Sequence, residues 1–303
     1  MADTRRLTAG VEGGVGQTAL MVAAARAIET HRGDALARDT FAEHFVRAAR
    51  ASTNWPIHPD EVAGGETNPL WGRLARYFGL RTRVFDDFVA GSVRTGARQV
   101  VLLGAGLDTR AYRLDWPPGC VIYEVDSSQV LAFKHTVLRE LDAAPRAVRV
   151  PIAADLCAGW AETLIASGFD PAARTAWVAE GLLLYLPHAA ERDLIATVDR
   201  LSADGSTLVY EVKLDAVSPV ARNGPVYSMA KDIGVDLLTL FSDEPRPDSA
   251  ADLRKRGWSA SVHLPFDHTT IHGRGPRPEP NDVLASNRWV FATSTSPSGH
   301  RTA

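Results

Sequence analysis

The sequence predicts an α/β fold, a seven-stranded sheet with a helical segment in front of it. Three observations carry that expectation. Short apolar runs of strand length recur after residue 98. Stretches with helical spacing separate most of them, and strictly alternating strand and helix imply parallel strands joined by right-handed crossovers. Before residue 98 the apolar spacing is helical throughout, so the front of the chain reads as a cap made of helices.

Residues 1–16 are glycine-rich and read as loose. From Gln17, "QTALMVAAARAIETHR" sets Leu20, Met21, Ala24, Ala25 and Ile28 on one helical face, with Thr18 placed to cap it. "DTFAEHFVRAAR" repeats the pattern with Phe41, Phe45 and Val46. A polar loop rich in Pro and Gly follows, and "LWGRLARYFGLRTRVFDDFVAGSV" is a third helix.

At Arg98 the period changes. "RQVVLLG" is a continuous apolar run, as in a strand buried on both faces. "VIYEVD", "VRVPIAAD", "TAWVAEGLLLYL" and "STLVYEV" supply four more strands. The helices between them are "SSQVLAFKHTVLREL", "GWAETLIASG" and "AAERDLIATVDRLS". Residues 214–257 form an irregular, partly helical insert. "SASVHL" and "NRWVFATS" close the sheet as strands six and seven. The expected organisation is a cap or lid over 1–97, a ligand-binding α/β region over 98–296 that includes the insert, and a disordered tail over 297–303.

With 303 residues, 45% hydrophobic and 23% charged, the composition is that of a soluble globular protein. A formal net charge of -3 provides no basic field for nucleic acid or an anionic membrane. No run of about 18 apolar residues suggests a membrane span. Two isolated cysteines, Cys120 and Cys157, without zinc spacing, fit a reducing cytoplasm and no metal centre. A small molecule is therefore the expected partner. The oligomeric state is left open.

The first strand ends in Gly104-Ala105-Gly106. A dinucleotide fingerprint needs a third glycine at 109, where Thr109 stands beside Asp108. An acid there repels a pyrophosphate, so a nicotinamide-dependent oxidoreductase is the weaker reading. S-adenosylmethionine carries no phosphate. It needs close backbone approach at Gly104 and Gly106, and carboxylates about its ribose and amine. Asp126 follows Gly106 by 20 residues at the end of the second strand, where a carboxylate can accept both ribose hydroxyls. Asp155 and Leu156, ending the third strand, suit the adenine. Glu180 ends the fourth strand, where sulfonium and acceptor should meet. Each acid has a plainer role open to it: Asp126 and Asp155 stand where helix caps stand.

These residues resemble a known family. "VVLLGAGLDTRAYRL", "YEVD", "AADL" and "WVAEGLLLYLP" are similar to the leucine carboxyl methyltransferase family. The likeness is strongest to its actinobacterial branch, which includes polyketide carboxyl methyltransferases. The resemblance covers roughly residues 15–213 and the closing strand, and it leaves the insert unmatched. It implies a class I methyltransferase fold, Rossmann-like, with strand order 3-2-1-4-5-7-6 and strand 7 antiparallel. It implies that Arg81 pairs with the methionine carboxylate, a role for which its neighbour Arg83 is a rival and beside which an exposed helix arginine is the plainer reading of Arg81, and that Tyr185 edges the acceptor pocket.

Methyl transfer from a sulfonium is a direct displacement that asks for alignment and exclusion of water. A carboxylate acceptor, with a pKa near ~4, is already ionised at neutral pH and needs no base. A phenol, with a pKa near ~10, gains from one, and His188 is then the best-placed histidine. The expected activity is O-methylation of a carboxylate or phenol of a secondary metabolite. A peptide or protein C-terminus is the second possibility, with acceptor specificity residing in the insert.

Overall fold

Apolar runs bounded by turn residues become strands where both faces can be buried, and the computed structural model shows seven of them among residues 10–214, 219–242 and 244–295, the residues it describes. They are β1 (Gln99–Leu103), β2 (Val121–Asp126), β3 (Val148–Ala153), β4 (Thr175–Ala179), β5 (Thr207–Lys213), β6 (Trp258–His263) and β7 (Asn287–Ser294). Their order is β3-β2-β1-β4-β5-β7-β6. The first five are parallel, and β7 runs antiparallel to both β5 and β6. This is the order that the resemblance implies. β3 is an edge strand, which is why Pro151 fits inside it and Val148 is exposed.

Alternation along each strand sends side chains to opposite faces. Val100 and Leu102 of β1 join the apolar cluster of one face, and Val101 and Leu103 that of the other. The first face is covered by α1 (Val15–Thr30), α2 (Ala42–Ala48) and α3 (Trp71–Arg94), through Leu20, Ile28, Phe45, Leu80 and Phe85. The N-terminal helices thus share one buried cluster with the sheet. After β1 come a short α4 (Arg110–Arg113) and, after β2, α5 (Ser128–Glu140). The other face is covered by α6 (Trp160–Ala166) and α7 (His188–Arg200).

The insert contains α8 (Pro219–Arg222), α9 (Pro225–Asp232), α10 (Leu237–Leu240) and α11 (Ser249–Lys255). It contributes to both faces: Val226 and Ala230 pack with the first cluster, Ala250 and Leu253 with the second. A last helix, α12 (Pro265–His272), links β6 to β7. The sequence pattern misses it because its start is written in local chemistry, with Pro265 at the first turn and the Asp267 carboxylate accepting the Leu264 N–H at 2.8 Å.

Two local expectations are corrected. Thr18 does not cap α1. The helix begins three residues earlier behind Gly14, and the Thr18 hydroxyl donates to the Val15 carbonyl at 2.6 Å. Residues 10–16 are not loose: Glu12 accepts the N–H groups of Arg50 and Ala51, both at 3.0 Å, and ties the segment down. Residues 1–9 and the tail 297–303 lie outside the described residues. No helix among the described residues is long and apolar enough to cross a membrane.

Candidate active site

In an open parallel sheet the strand order reverses at one point, and the crevice beyond the strand ends there is the natural ligand site. Here the reversal lies between β1 and β4. A cavity of about 560 Å³ opens at their ends. Its floor is Gly104, Ala105 and Gly106, and α1 forms one wall through Ala19 and Arg26. Gly104 and Gly106 have φ of 64 and 46, which L-residues avoid. A Cβ on Gly104 would lie 3.0 Å from Leu182 Cδ1. The turn is therefore tight at its base and bare of side chains towards the cavity.

Asp126, Asp155, Leu156 and Glu180 all line this cavity, so four strand ends converge on it. The helix-cap roles are not the ones taken. Ser127 caps α5, accepting from the Val130 N–H at 3.4 Å. Asp126 accepts the N–H groups of Gly106 and Ser127, each at 2.7 Å, and so stitches the end of β2 to the glycine turn. Burial raises its carboxyl above the usual range while those two N–H groups work against the rise. Asp155 accepts the Cys157 N–H at 2.8 Å, and α6 starts later, behind Gly159.

Glu180 lies between two arginines. Arg81 Nε reaches its Oε1 at 2.8 Å and Arg110 its Oε2 at 2.7 Å. Burial alone would raise its pKa, but Arg110, Arg81 and Arg26 outweigh it and hold the carboxyl at about 2. Arg81 also donates to Glu211 of β5 at 2.5 Å, and Glu211 in turn takes the Tyr77 hydroxyl. Arg83 is exposed and paired with Asp87 at 2.7 Å, away from the cavity. Of the two arginines weighed, Arg81 is the one at the site.

Sequence reasoning missed Arg26, Arg110, Glu211 and Lys213. Arg110 binds Asp86, Asp108 and Glu180 at once and is 1% exposed. Asp108 is thereby held below the usual carboxylate range despite its burial. Its charge is covered by Arg110, so the case against a pyrophosphate does not rest on Asp108 alone. It rests on the whole lining. Among the described residues five carboxylates (Asp108, Asp126, Asp155, Glu180, Glu211) and three cations (Arg26, Arg81, Lys213) face the cavity, and with Arg110 paired to Asp108 and Glu180 from behind, five negative groups stand against four positive ones, a small surplus that suits a cationic ligand. The signal for Arg110 was visible as the acid, hydroxyl and arginines of "LDTRAYR". Its partners on α3 and β4 were not, because they are remote in sequence.

Beyond the strand ends the cavity becomes apolar and aromatic. Tyr77 and Phe78 of α3, Tyr185, Tyr227, Leu237 and Phe241 line it, with Lys213 over the Phe241 ring at 5.9 Å and Asn287 donating to the Tyr77 hydroxyl at 2.8 Å. Tyr185 packs on Phe241 with ring centroids 5.8 Å apart. Burial pushes its phenol up to about 12, against the Thr18 hydroxyl, so it is neutral at physiological pH. His188 is not brought to the site. It begins α7, outside the cavity lining, and its N–H donates to Glu244 at 2.6 Å. Among the described residues no group of three or more His, Cys, Asp or Glu side chains could hold a metal ion.

Comparison with known proteins agrees with this geometry. The leucine carboxyl methyltransferase family model matches residues 19–199. A Streptomyces coelicolor protein, provisionally named an S-adenosyl-L-methionine-dependent methyltransferase, is 66% identical across 98% of this chain and 100% of its own length. A Mycobacteroides abscessus protein with the same provisional name is 42% identical, covering 94% of this chain and 93% of its own. Among solved structures, a provisionally named methyltransferase from Thermobifida fusca covers 84% of this chain and 94% of its own at 14% identity, with a TM-score of 0.51. A DUF574 family protein from Streptomyces avermitilis covers 89% and 99% at 13% identity, with a TM-score of 0.50. The two structures establish the likeness of fold alone.

Proposed function

The chain belongs to the leucine carboxyl methyltransferase family, and from that premise we propose that this S-adenosylmethionine-dependent methyltransferase methylates an oxygen of a small molecule, a carboxylate or a phenol of a secondary metabolite. The observation that carries the reading is the continuity of one cavity. A polar end at Gly104, Asp126, Asp155 and Glu180 opens directly into an apolar end walled by Tyr77, Phe78, Tyr185, Tyr227 and Phe241.

The polar end fits S-adenosylmethionine on its own chemistry. The glycine turn leaves room for the methionine and ribose. In this reading Asp126 takes the ribose hydroxyls, Asp155 and Leu156 the adenine, Glu180 the amine and Arg81 the carboxylate, and all five line the one cavity. Bound there, S-adenosylmethionine supplies a methyl group activated by its positive sulfur. The protein's own residues bind, orient and keep water out. Arg81 and Arg110 fix the Glu180 carboxylate from both sides, so it is ionised and oriented before any ligand enters. The aromatic walls exclude water from the acceptor. A carboxylate acceptor has no proton to lose. A phenol must give one up, and the neutral Tyr185 does not take it.

The family description names leucine carboxyl groups, which points to a peptide end as the second reading. The chamber favours the first, because its aromatic side chains suit the body of one small molecule while Arg81 and Lys213 supply positive charge for an anionic group. Purified protein is given S-adenosylmethionine labelled at the methyl group, with small carboxylic acids, phenols and a peptide ending in leucine as acceptors. Label appearing as a base-labile ester of a small acid supports the carboxylate, and a base-stable ether supports the phenol. Label confined to the peptide overturns the small-molecule reading.

A further inference from the structure

The loop after β4 carries Leu184, Tyr185 and Leu186 into the acceptor end of the cavity. It is a single turn of 3-10 helix, Leu183–Tyr185, and such a turn leaves its last carbonyls without helical partners. Leu183 O keeps the Leu186 N–H of the turn at 3.1 Å, and one side chain from the insert reaches the carbonyls of 183, 184 and 186 together. Arg246 donates to Leu183 O at 2.8 Å, to Leu186 O at 3.0 Å and to Leu184 O at 3.0 Å. The same guanidinium pairs with Glu191 of α7 at 2.9 Å, where Arg246 is 6% exposed and Glu191 0%. Nη1 faces Leu183 O, Leu186 O and Glu191 with its two hydrogens shared among them, and Nη2 faces Leu184 O, a planar spread that an ammonium does not reproduce.

The contacts on either side run in the same direction. Phe241 packs on Tyr185, the Ser242 N–H donates to Leu184 O at 3.0 Å, and Glu244 accepts the His188 N–H. The insert segment thus lies along the loop as a strap, and Arg246 is its buried fastening. We infer that Arg246 is a positioning residue that sets Tyr185, and with it the acceptor wall, through the carbonyls of 183, 184 and 186. This deepens the function proposed above and rests on it for the meaning of the acceptor wall. The cofactor end lies outside the strap: Gly104, Asp126 and Asp155 share no partner with Arg246.

The full chain is labelled with 3-fluorotyrosine, and the Tyr185 resonance is identified by its loss in Tyr185→Phe. In Arg246→Met the Tyr185 fluorine resonance shifts and broadens. Arg246→Lys restores it in part, because an ammonium reaches some of the oxygens but not all. Hydrogen exchange at the amides of Leu184, Tyr185, Leu186 and His188 accelerates by roughly tenfold in Arg246→Met, as local opening becomes easier. Affinity for S-adenosylhomocysteine, measured by titration calorimetry, stays within about twofold, since sites without shared partners act independently. A Tyr185 resonance unmoved in Arg246→Met overturns the inference, whatever happens to the melting temperature. Should that variant fail to fold, Ser242→Pro is read in the same way. It deletes the N–H donated to Leu184 O and the hydroxyl that accepts the Glu244 N–H at 3.4 Å, both bonds of the same strap, and Phe241 at φ -70, ψ 143 already accommodates a following proline. Failure of the unaltered protein to bind S-adenosylhomocysteine would instead sink the methyl-donor reading, leaving the Tyr185 result to stand or fall alone.

Discussion

Glu180 shows how one residue can be legible in kind and illegible in strength. Its place at the end of β4 follows from counting strands. Its electrostatics follow from Arg81 and Arg110, 99 and 70 residues away in the chain, which hold it at about 2 against burial. An unfolded carboxyl titrates near 4.5, so the folded pKa is depressed. The stability linked to it is fully present above that value and lost as pH falls through about 2. Melting temperature followed from pH 6 down to about pH 2 should therefore decline less steeply in Glu180→Gln than in the unaltered protein. Equal slopes would show that the carboxylate is not held by the two arginines. Asp126 is the converse case. A cap was open to it from sequence, and the structure instead joins it to Gly106 across two strands.

At the scale of elements, the glycine turn is the sharpest case. Two glycines after an apolar run are a weak pattern; both are called for by positive φ, and Gly104 also by Leu182, whose Cδ1 lies 3.0 Å from where a Gly104 Cβ would be. With φ at 64 as well, Gly104→Ala should cost about 1–2 kcal/mol in left-handed backbone alone. The contact with Leu182 adds to it, and the added methyl narrows the approach to the cofactor. A urea midpoint lowered together with weaker S-adenosylhomocysteine binding is the expected result. An unchanged midpoint would mean that Leu182 yields freely. The strands were legible because each is a short apolar run between turn residues. The helix Pro265–His272 was not, since its stripe is broken by polar residues and its start depends on a cap. The insert's helices were legible only as partly helical sequence, because their apolar residues divide between two faces of the sheet.

The whole molecule is a sheet covered by helices on both faces, and the cavity is bounded by both the N-terminal α1 and the strand ends. We propose that residues 1–97 serve as its cap. A ligand that touches both parts binds only the folded chain. At one hundred times its dissociation constant, S-adenosylmethionine should add about 2.7 kcal/mol of stability. In a chain of 303 residues that raises the melting temperature by roughly 4 °C. NAD(H) at the same concentration should leave it unmoved, because the lining carries more carboxylates than cations and a pyrophosphate is repelled. Equal stabilisation by both ligands would overturn the electrostatic account of the cavity.

The amino-acid sequence by itself determined the strand count, the helical front, the order of the four strand-end signals and the family to which they belong. These are local patterns, set by apolar spacing and by turn residues within a few positions of one another. Tertiary structure alone decided which arginine stands at the site, that Arg110 gathers three carboxylates, and that the insert fastens the loop of Tyr185 through Arg246. The physical reason is distance along the chain. A buried charge must find partners, and nothing in the local pattern says which partners folding will bring to it.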